Sequence, residues 1–261
     1  MAKPADRSQV YRTLSQVYRA RVYRALGIAL FTVLFATSCG LESTISLCPL
    51  PEAEDSNIDE DGIGIRFDHL LCGESNPPVA QIDSFRGYDI YYRIYGDTEE
   101  QQSRLDADVE AIQDPERQAT TTLNARNYRR LESFFTDNSR AGRPTIDLSG
   151  NDALRTGPVE VTIDFSEIDG DEATAQWEAA NGSGDERILR RNIDADDTSF
   201  SSDSDDYSSG DPDVDNQVEN GSRLQIVLFA VSLGRAPEEL AQITSFEARL
   251  LTVPGGLEFT N

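Results

Sequence analysis

Hydrophobic and polar residues alternate along much of the chain beyond residue 62, which is the pattern of β-strands with one buried face. The strongest such run is 79–95, where aromatic and β-branched residues dominate. Strand geometry divides the second half of this run into two faces. One face holds Tyr88, Ile90, Tyr92 and Ile94, and the other holds Asp89, Tyr91, Arg93 and Tyr95. The pattern therefore predicts a long strand that ends near residue 95.

Further strands follow from the same alternation. Residues 224–233 are apolar on both faces, which predicts a central strand that is covered on both sides. Shorter runs predict strands at 63–67, 159–165, 173–177, 188–191 and 245–253. Many short strands separated by turn residues are typical of a β-sandwich. We therefore expect a mainly β, sandwich-like domain over residues 62–261.

A helical segment interrupts the β pattern. Asp97 and Thr98 provide capping oxygens, and two glutamates follow them in the first turn. The apolar positions predicted to face the core are Leu105, Val109 and Ile112. Pro115 ends this helix. The next segment, 123–135, fits either a helix or a strand, and its expected buried side chains are Tyr128, Leu131, Phe134 and Phe135.

Residues 194–216 have a different composition, since fifteen of these 23 residues are Asp or Ser. Such a stretch buries too little apolar area to offset the entropy lost on ordering. We expect a disordered or cation-dependent acidic loop. A solvated, flexible loop and a loose calcium or magnesium site both fit the composition.

Two short pieces resemble fibronectin type III domains. The segment 87–93, Gly-Tyr-Asp-Ile-Tyr-Tyr-Arg, is similar to a strand of that family, and 228–234 with 245–253 is similar to its last two strands. The resemblance covers about 40 residues. It implies a fibronectin III or immunoglobulin-like sandwich that carries a large insertion, about 97–222, containing the helix and the acidic loop. A match in generic β patterning alone is the alternative.

The first 38 residues have the pattern of an export signal. Six basic residues and one acid precede a short apolar run, 25–36, and small residues follow it up to Cys39. The apolar run is too short for a membrane-spanning helix, which needs roughly 20 residues. We expect a cleaved signal peptide over 1–38 and an acidic tether over 39–61. An uncut membrane anchor is the alternative.

The segment 34–39, Leu-Phe-Ala-Thr-Ser-Cys, resembles a bacterial lipobox. It departs from the commonest pattern by having Ala36 and Ser38 where Leu and Gly or Ala are usual. The resemblance implies that Cys39 receives a diacylglycerol and becomes the N-terminus, so that the partner of the chain is membrane lipid. Gly40, in place of Asp, favours the outer membrane over the inner membrane.

The chain has a formal net charge of −24. The first 38 residues hold six of the 23 Lys and Arg and one of the 47 Asp and Glu, so the rest carries 17 basic and 46 acidic residues, a net charge of −29. This charge argues against nucleic acid as a partner, because contacts with phosphates need a basic face. Adaptation to a salty medium, which screens self-repulsion, would leave the same bias.

Two cysteines remain after Cys39. Cys48 and Cys72 are an even pair in an exported chain, which predicts a disulfide between them. Two separate buried thiols are the alternative.

A partial calcium-loop pattern begins at Asn57. Asn57, Asp59 and Asp61 place oxygens at alternate positions before a glycine, and the same register reaches Asp68 at the twelfth place. These four residues are candidate calcium ligands. A chain this rich in Asp also produces such strings by chance.

No catalytic residues can be assigned from the sequence. His69 is the sole histidine, no phosphate-binding glycine loop is present, and no pair of carboxylates differs from the many others. Tyr91, Arg93 and Tyr95 share one strand face, and tyrosine with arginine can recognise a partner or a sugar.

The expected function is that of a lipid-anchored bacterial envelope protein, a non-catalytic binding or structural module for an envelope protein or glycan. A carboxylate-dependent hydrolase of envelope or extracellular glycans is the alternative. Two close carboxylates in a cleft lined by tyrosine and Trp177 would favour that enzyme. An exposed apolar groove would instead favour an assembly factor.

Overall fold

The structure is a computed structural model. It describes residues 64–69, 85–150, 154, 158–165, 172–193, 199–200, 206–216, 218, 223–235, 242–244, 247–252 and 258–259. Its elements in chain order are β1 (Gly64–His69), β2 (Phe85–Gly96), α1 (Glu99–Ile112), α2 (Ala119–Ala125), β3 (Arg129–Arg130), β4 (Glu132–Phe134), β5 (Ile146–Asp147), β6 (Val159–Asp164), β7 (Thr174–Ala179), β8 (Gly184–Arg190), β9 (Leu224–Arg235), β10 (Gln242–Thr244), β11 (Arg249–Leu250) and β12 (Glu258–Phe259).

The strands of the described part form two antiparallel sheets, which confirms the expected mainly β, sandwich-like fold. Sheet A has the order β1-β6-β7-β8-β4. Strands β6, β7 and β8 follow one another as hairpins, and the turn between β7 and β8 contains Gly182 at φ +77°. Four of the strands of sheet A thus come from the region 97–222, which supplies most of one layer of the sandwich.

Sheet B is built on two long strands. β2 pairs with β9 from Phe85 opposite Gly234 to Gly96 opposite Leu224. Three short segments, β10, β11 and β12, then follow the other edge of β9 in succession. β9 is therefore central, as its two apolar faces predicted.

Several short segments pair with the edge of β2 that does not face β9. β5 pairs beside Gly87 and Tyr88, and β3 pairs beside Tyr91 and Tyr92. Beyond them, the amide of Ile94 donates to the carbonyl of Asp213 at 2.9 Å, and the amide of Asp215 donates to the carbonyl of Ile94 at 2.8 Å. The acidic segment 213–215 thus extends sheet B.

Two hydrophobic clusters show how the sheets and the helices pack against one another. The first contains the inward side chains of β1, β6, β7 and β8 together with the even-numbered face of β2 and of β9. The second lies on the opposite face of sheet B, where Tyr91, Tyr95 and Phe229 contact Leu105 of α1 and Leu123 of α2. The helices therefore cover the face of sheet B that points away from sheet A.

Helix α1 begins as the sequence predicted. The side chain of Thr98 accepts a hydrogen bond from the amide of Gln101, and Glu99 and Glu100 occupy the first turn. Leu105 and Ile112 are buried, and Val109 packs against the second cluster. Neither helix of the described part is long and apolar enough to span a membrane.

Two sequence expectations are corrected in the segment that follows α1. The segment 123–135 is neither one helix nor one strand, because Asn127 adopts a left-handed backbone at φ 60° and separates α2 from β3. Tyr128 and Leu131 are buried as predicted, but Phe135 is 40% exposed. Arg187 covers its ring, with the guanidinium carbon 4.0 Å from the ring centroid.

The described part of the expected strand over 245–253 lies along β9. Arg249–Leu250 pairs with Ala230 and Phe229, and the amide of Leu251 donates to the carbonyl of Leu228 at 2.8 Å. Gln242–Thr244 pairs with β9 just before it, in a different register. Residues 245, 246 and 253 lie outside the described residues.

Candidate functional site

Arg93 projects from the helix-covered face of β2 and is buried. Its Nη1 donates to the Oδ2 of Asp108 at 3.0 Å and to the carbonyl of Arg126 at 2.7 Å. Its Nη2 donates to the Oδ2 of Asp215 at 2.9 Å. One side chain thus joins β2, α1, the end of α2 and the acidic segment.

Asp108 is the second centre of this network. Its Oδ2 also accepts from the Tyr95 hydroxyl at 2.7 Å, and its Oδ1 accepts from Nη1 of Arg126 at 2.6 Å. Burial raises the pKa of Tyr95 well above its ordinary value, and the neighbouring Tyr128 adds to this effect. Tyr95 therefore stays protonated and keeps donating to the carboxylate.

Asp215 connects the network to Arg104 on α1. Its Oδ1 lies 3.5 Å from Nη1 of Arg104, which also donates to the side-chain oxygen of Asn216 at 2.8 Å. Glu100, at the exposed edge, lies 3.4 Å from Nη2 of the same arginine.

These side chains surround a pocket of about 300 Å³ between α1, the end of α2 and the acidic segment. We call it the arginine pocket. Its lining residues are Arg93, Arg104, Ala107, Asp108, Ala125, Arg126, Asn127 and Asp215. Three guanidinium groups and two carboxylates thus face a space whose remaining walls are small side chains and Asn127. Guanidinium groups stay charged and donate only, so this arrangement suits binding of an acceptor rather than proton transfer.

A neighbouring ion-pair cluster holds the acidic segment to both sheets. Arg191, just after β8, donates from Nε to the Oδ2 of Asp213 at 2.9 Å and from Nη2 to its Oδ1 at 2.8 Å. The same Nη2 donates to Asp211 at 2.8 Å, and the Tyr92 hydroxyl donates to Asp213 at 2.6 Å. We call Asp211, Asp213, Arg191 and Tyr92 the acidic clasp.

The acidic clasp raises the pKa values of two of its members, Arg191 and Tyr92. Burial opposes the charged form of Arg191, but the hydrogen bonds that it donates to Asp213, together with the charge of that carboxylate, outweigh burial and raise its pKa. Burial, reinforced by the charge of Asp213, raises the pKa of Tyr92 well above its ordinary value. Both groups thus stay protonated and hold the carboxylate between them.

The structure therefore corrects the expectation for part of the acidic loop. Asp213 and Asp215 are buried and bound to arginines, so residues 213–215 are not a solvated loop, whereas 208–210 are exposed. Its charges are matched by partners that lie far away in sequence. The segments 194–198 and 201–205 lie outside the described residues.

The candidate binding residues of the sequence are placed differently from the expectation. Tyr91, Arg93 and Tyr95 do share one face of β2, but α1 and α2 cover that face. The two tyrosines are core residues and not an exposed recognition surface. Arg93 alone of the three lines a pocket.

The other candidate residues fall largely outside the described part. Cys39, Cys48, Cys72 and the calcium candidates at 57, 59 and 61 lie outside it, while Asp68 lies in β1 with its side chain undescribed. Within the described residues, no three His, Cys, Asp or Glu side chains converge as a metal site would require.

An open pocket of about 340 Å³ lies on the outer face of sheet A. Its acidic lining residues are Glu160, Glu178, Asp185 and Glu186, and Trp177 also contributes. The Trp177 side chain belongs to the core between the sheets. No tyrosine is among the described lining residues, so the cleft expected for a hydrolase is matched only in its acidic character.

Sequence reasoning did not identify Arg104, Asp108, Arg126 or Asp215. A signal for one of them was present, because Asp108 falls on the same helical stripe as Leu105 and Ile112 and is buried with them. A carboxylate on a buried stripe requires a cationic partner. Nothing local indicated which arginine would provide it.

Comparisons with models of protein families, with curated proteins and with solved structures found no match for this chain.

Proposed function

We propose that the chain is an exported bacterial lipoprotein, held in the envelope by lipid on Cys39, whose β-sandwich-like domain is a non-catalytic binding module. The export signal and the lipobox-like segment before Cys39 support the anchor and favour the outer membrane. The arginine pocket is the observation that carries the binding role. Its ligand would be a component of the envelope, either a protein or a glycan.

The pocket has the properties of a preformed binding site. Arg93 and Asp108 are fixed by several hydrogen bonds each, and α1 is held against sheet B by the second hydrophobic cluster. Side chains that are ordered before binding lose little entropy when a ligand arrives. The chemical groups around the pocket favour recognition over catalysis, because its cations are all guanidinium groups.

The anchor can be tested by the intact mass of the protein extracted from its own membranes. We expect a chain that begins at Cys39 and carries acyl chains, and a gain of two hydrogens on reduction if Cys48 and Cys72 are joined. The variant Cys39→Ala should lose the acyl mass and leave the membrane fraction. A wild-type mass that retains residues 1–38 would contradict the lipoprotein proposal.

The role of the pocket can be tested by blocking it. Ala107 is exposed on α1 and lines the arginine pocket, so Ala107→Trp should fill the space without removing a charge. On a chain that begins at Gly40 and therefore carries no lipid, we expect this variant to lose most of the co-sedimentation that the wild-type sequence shows with purified envelope fragments. Ser103→Trp adds the same ring at another exposed position of α1 and is the matched control.

Retention of Ser103→Trp at the wild-type level, with loss for Ala107→Trp, would support the proposed site. Equal retention of wild type and both variants would show that the pocket is not the binding surface. Circular dichroism of each variant establishes that the fold is kept.

A further inference from the structure

The arginine pocket differs in charge from the chain that contains it. Its wall holds three arginines and two aspartates, whereas the whole chain has a net charge of −24. Glu100 pairs with Arg104 at the exposed edge but is not a lining residue. The lining residues thus carry one more positive than negative charge, on a protein that is otherwise strongly acidic.

The hydrogen-bond groups of the pocket are also unbalanced. Asp108 already accepts from Arg93, Arg126 and Tyr95. By contrast, the Nε of Arg93 is buried and has no acceptor among the described residues. Arg126 uses one of its guanidinium nitrogens for Asp108, and its side chain is 40% exposed. The arginines of the pocket therefore have N–H groups left to donate to a ligand, while the carboxylates of Asp108 and Asp215 already accept hydrogen bonds from protein groups.

A ligand that completes this pocket must bring acceptors and negative charge. Carboxylates and phosphates match the planar donor pair of arginine, and such charge-assisted hydrogen bonds are about twice as strong as neutral ones. A volume of about 300 Å³ is large enough for such a group with a few attached atoms. Cationic and purely donor ligands would compete with the arginines for the same aspartates.

We infer that the arginine pocket is an oxyanion site, which binds a carboxylate or phosphate group of the envelope ligand. This inference rests on the proposed function and specifies the chemistry of its ligand. Arg126 provides the accessible donors, and Arg104 and the buried Arg93 add positive charge.

The test is calorimetric titration of the mature chain with inorganic phosphate and with acetate, at constant ionic strength set by sodium chloride. We expect saturable binding of at least one of them. The variant Arg126→Gln should weaken it by about tenfold or more, since a hydrogen bond to a charged group contributes about 1.5–3 kcal/mol.

Arg117→Gln is the matched control, because Arg117 lies outside the arginine pocket, is 59% exposed and pairs with Asp114. It removes the same charge from the same side of the domain, so binding should stay within about twofold of wild type. If Arg126→Gln does not fold, Ala125→Trp replaces it, since Ala125 is an exposed lining residue.

The two anions distinguish the ligand sources. Tighter phosphate binding indicates a phosphorylated ligand, and tighter acetate binding indicates a carboxylate. No saturable binding of either anion, or equal weakening by Arg126→Gln and Arg117→Gln, would overturn the inference. Loss of envelope binding by Ala107→Trp together with absent anion binding would overturn only the oxyanion chemistry. Anion binding without envelope binding would instead overturn the proposed function.

Discussion

Replacing Asp213 by alanine is expected to lower the free energy of unfolding by about 3–5 kcal/mol, the usual cost of removing one partner of a buried ion pair. Asp213 is fully buried and accepts two hydrogen bonds from Arg191 and one from Tyr92. Without it, the buried guanidinium of Arg191 keeps one carboxylate partner among the described residues, Asp211, and its contact with the Tyr207 ring. Urea unfolding followed by circular dichroism measures the change.

Asp211→Ala is the comparison variant in the same segment. Asp211 contacts the same arginine at 2.8 Å, but its side chain is 27% exposed. Water therefore replaces much of its interaction, and we expect a loss of about 1 kcal/mol or less. Equal effects of the two substitutions would mean that the acidic clasp is not a buried structural centre.

Gly87→Ala is expected to destabilise the fold by about 3 kcal/mol or more, the combined cost of backbone strain and overpacking. Gly87 has φ +142°, and a Cβ added there would lie 1.9 Å from the carbonyl oxygen of Ile146 on β5. This glycine lies at the register shift where β2 meets both β5 and β9. Relief of the clash would therefore separate β5 from β2.

Gly142→Ala distinguishes the cost of backbone strain from the cost of overpacking. Gly142 has φ +82° and no atom within 4 Å of an added Cβ, so only backbone strain applies, and we expect a loss of roughly 1–2 kcal/mol. Thermal or urea unfolding of both variants gives the comparison. A Gly87→Ala protein no less stable than Gly142→Ala would contradict the close approach of β5 to β2.

The long strands and the first helix could be predicted because their signals are local. Alternation along 88–95 and 224–233 correctly assigned which residues share each face of β2 and β9. The capping oxygen of Thr98 and the acids after it correctly located the start of α1. In each case the neighbours that decide the structure lie within a few residues.

The acidic segment shows where composition is insufficient. Residues 206–216 contain few apolar side chains, so the sequence indicated solvation. The structure instead provides Arg93, 122 residues away from Asp215, and Arg191, 22 residues away from Asp213. Such pairs order a polar segment through charge and hydrogen bonds rather than through apolar burial, and composition does not report them.

The candidate site was also predictable only in part. Arg93 was identified with Tyr91 and Tyr95 because all three share a strand face. Whether that face was solvent-exposed or covered depended on where α1 and α2 lie, which periodicity within a strand does not specify.

The sequence by itself determined the mainly β class of fold, the residues that share each face of its strongest strands and the start of α1, because periodicity and capping are properties of contiguous residues. Only the tertiary structure decided that helices cover sheet B, that Asp213 and Asp215 bind arginines, and that Arg93, Arg104 and Arg126 meet at one pocket. These features depend on ion pairs and packing between segments distant in the chain, whose partners are chosen by geometry and not by neighbouring residues.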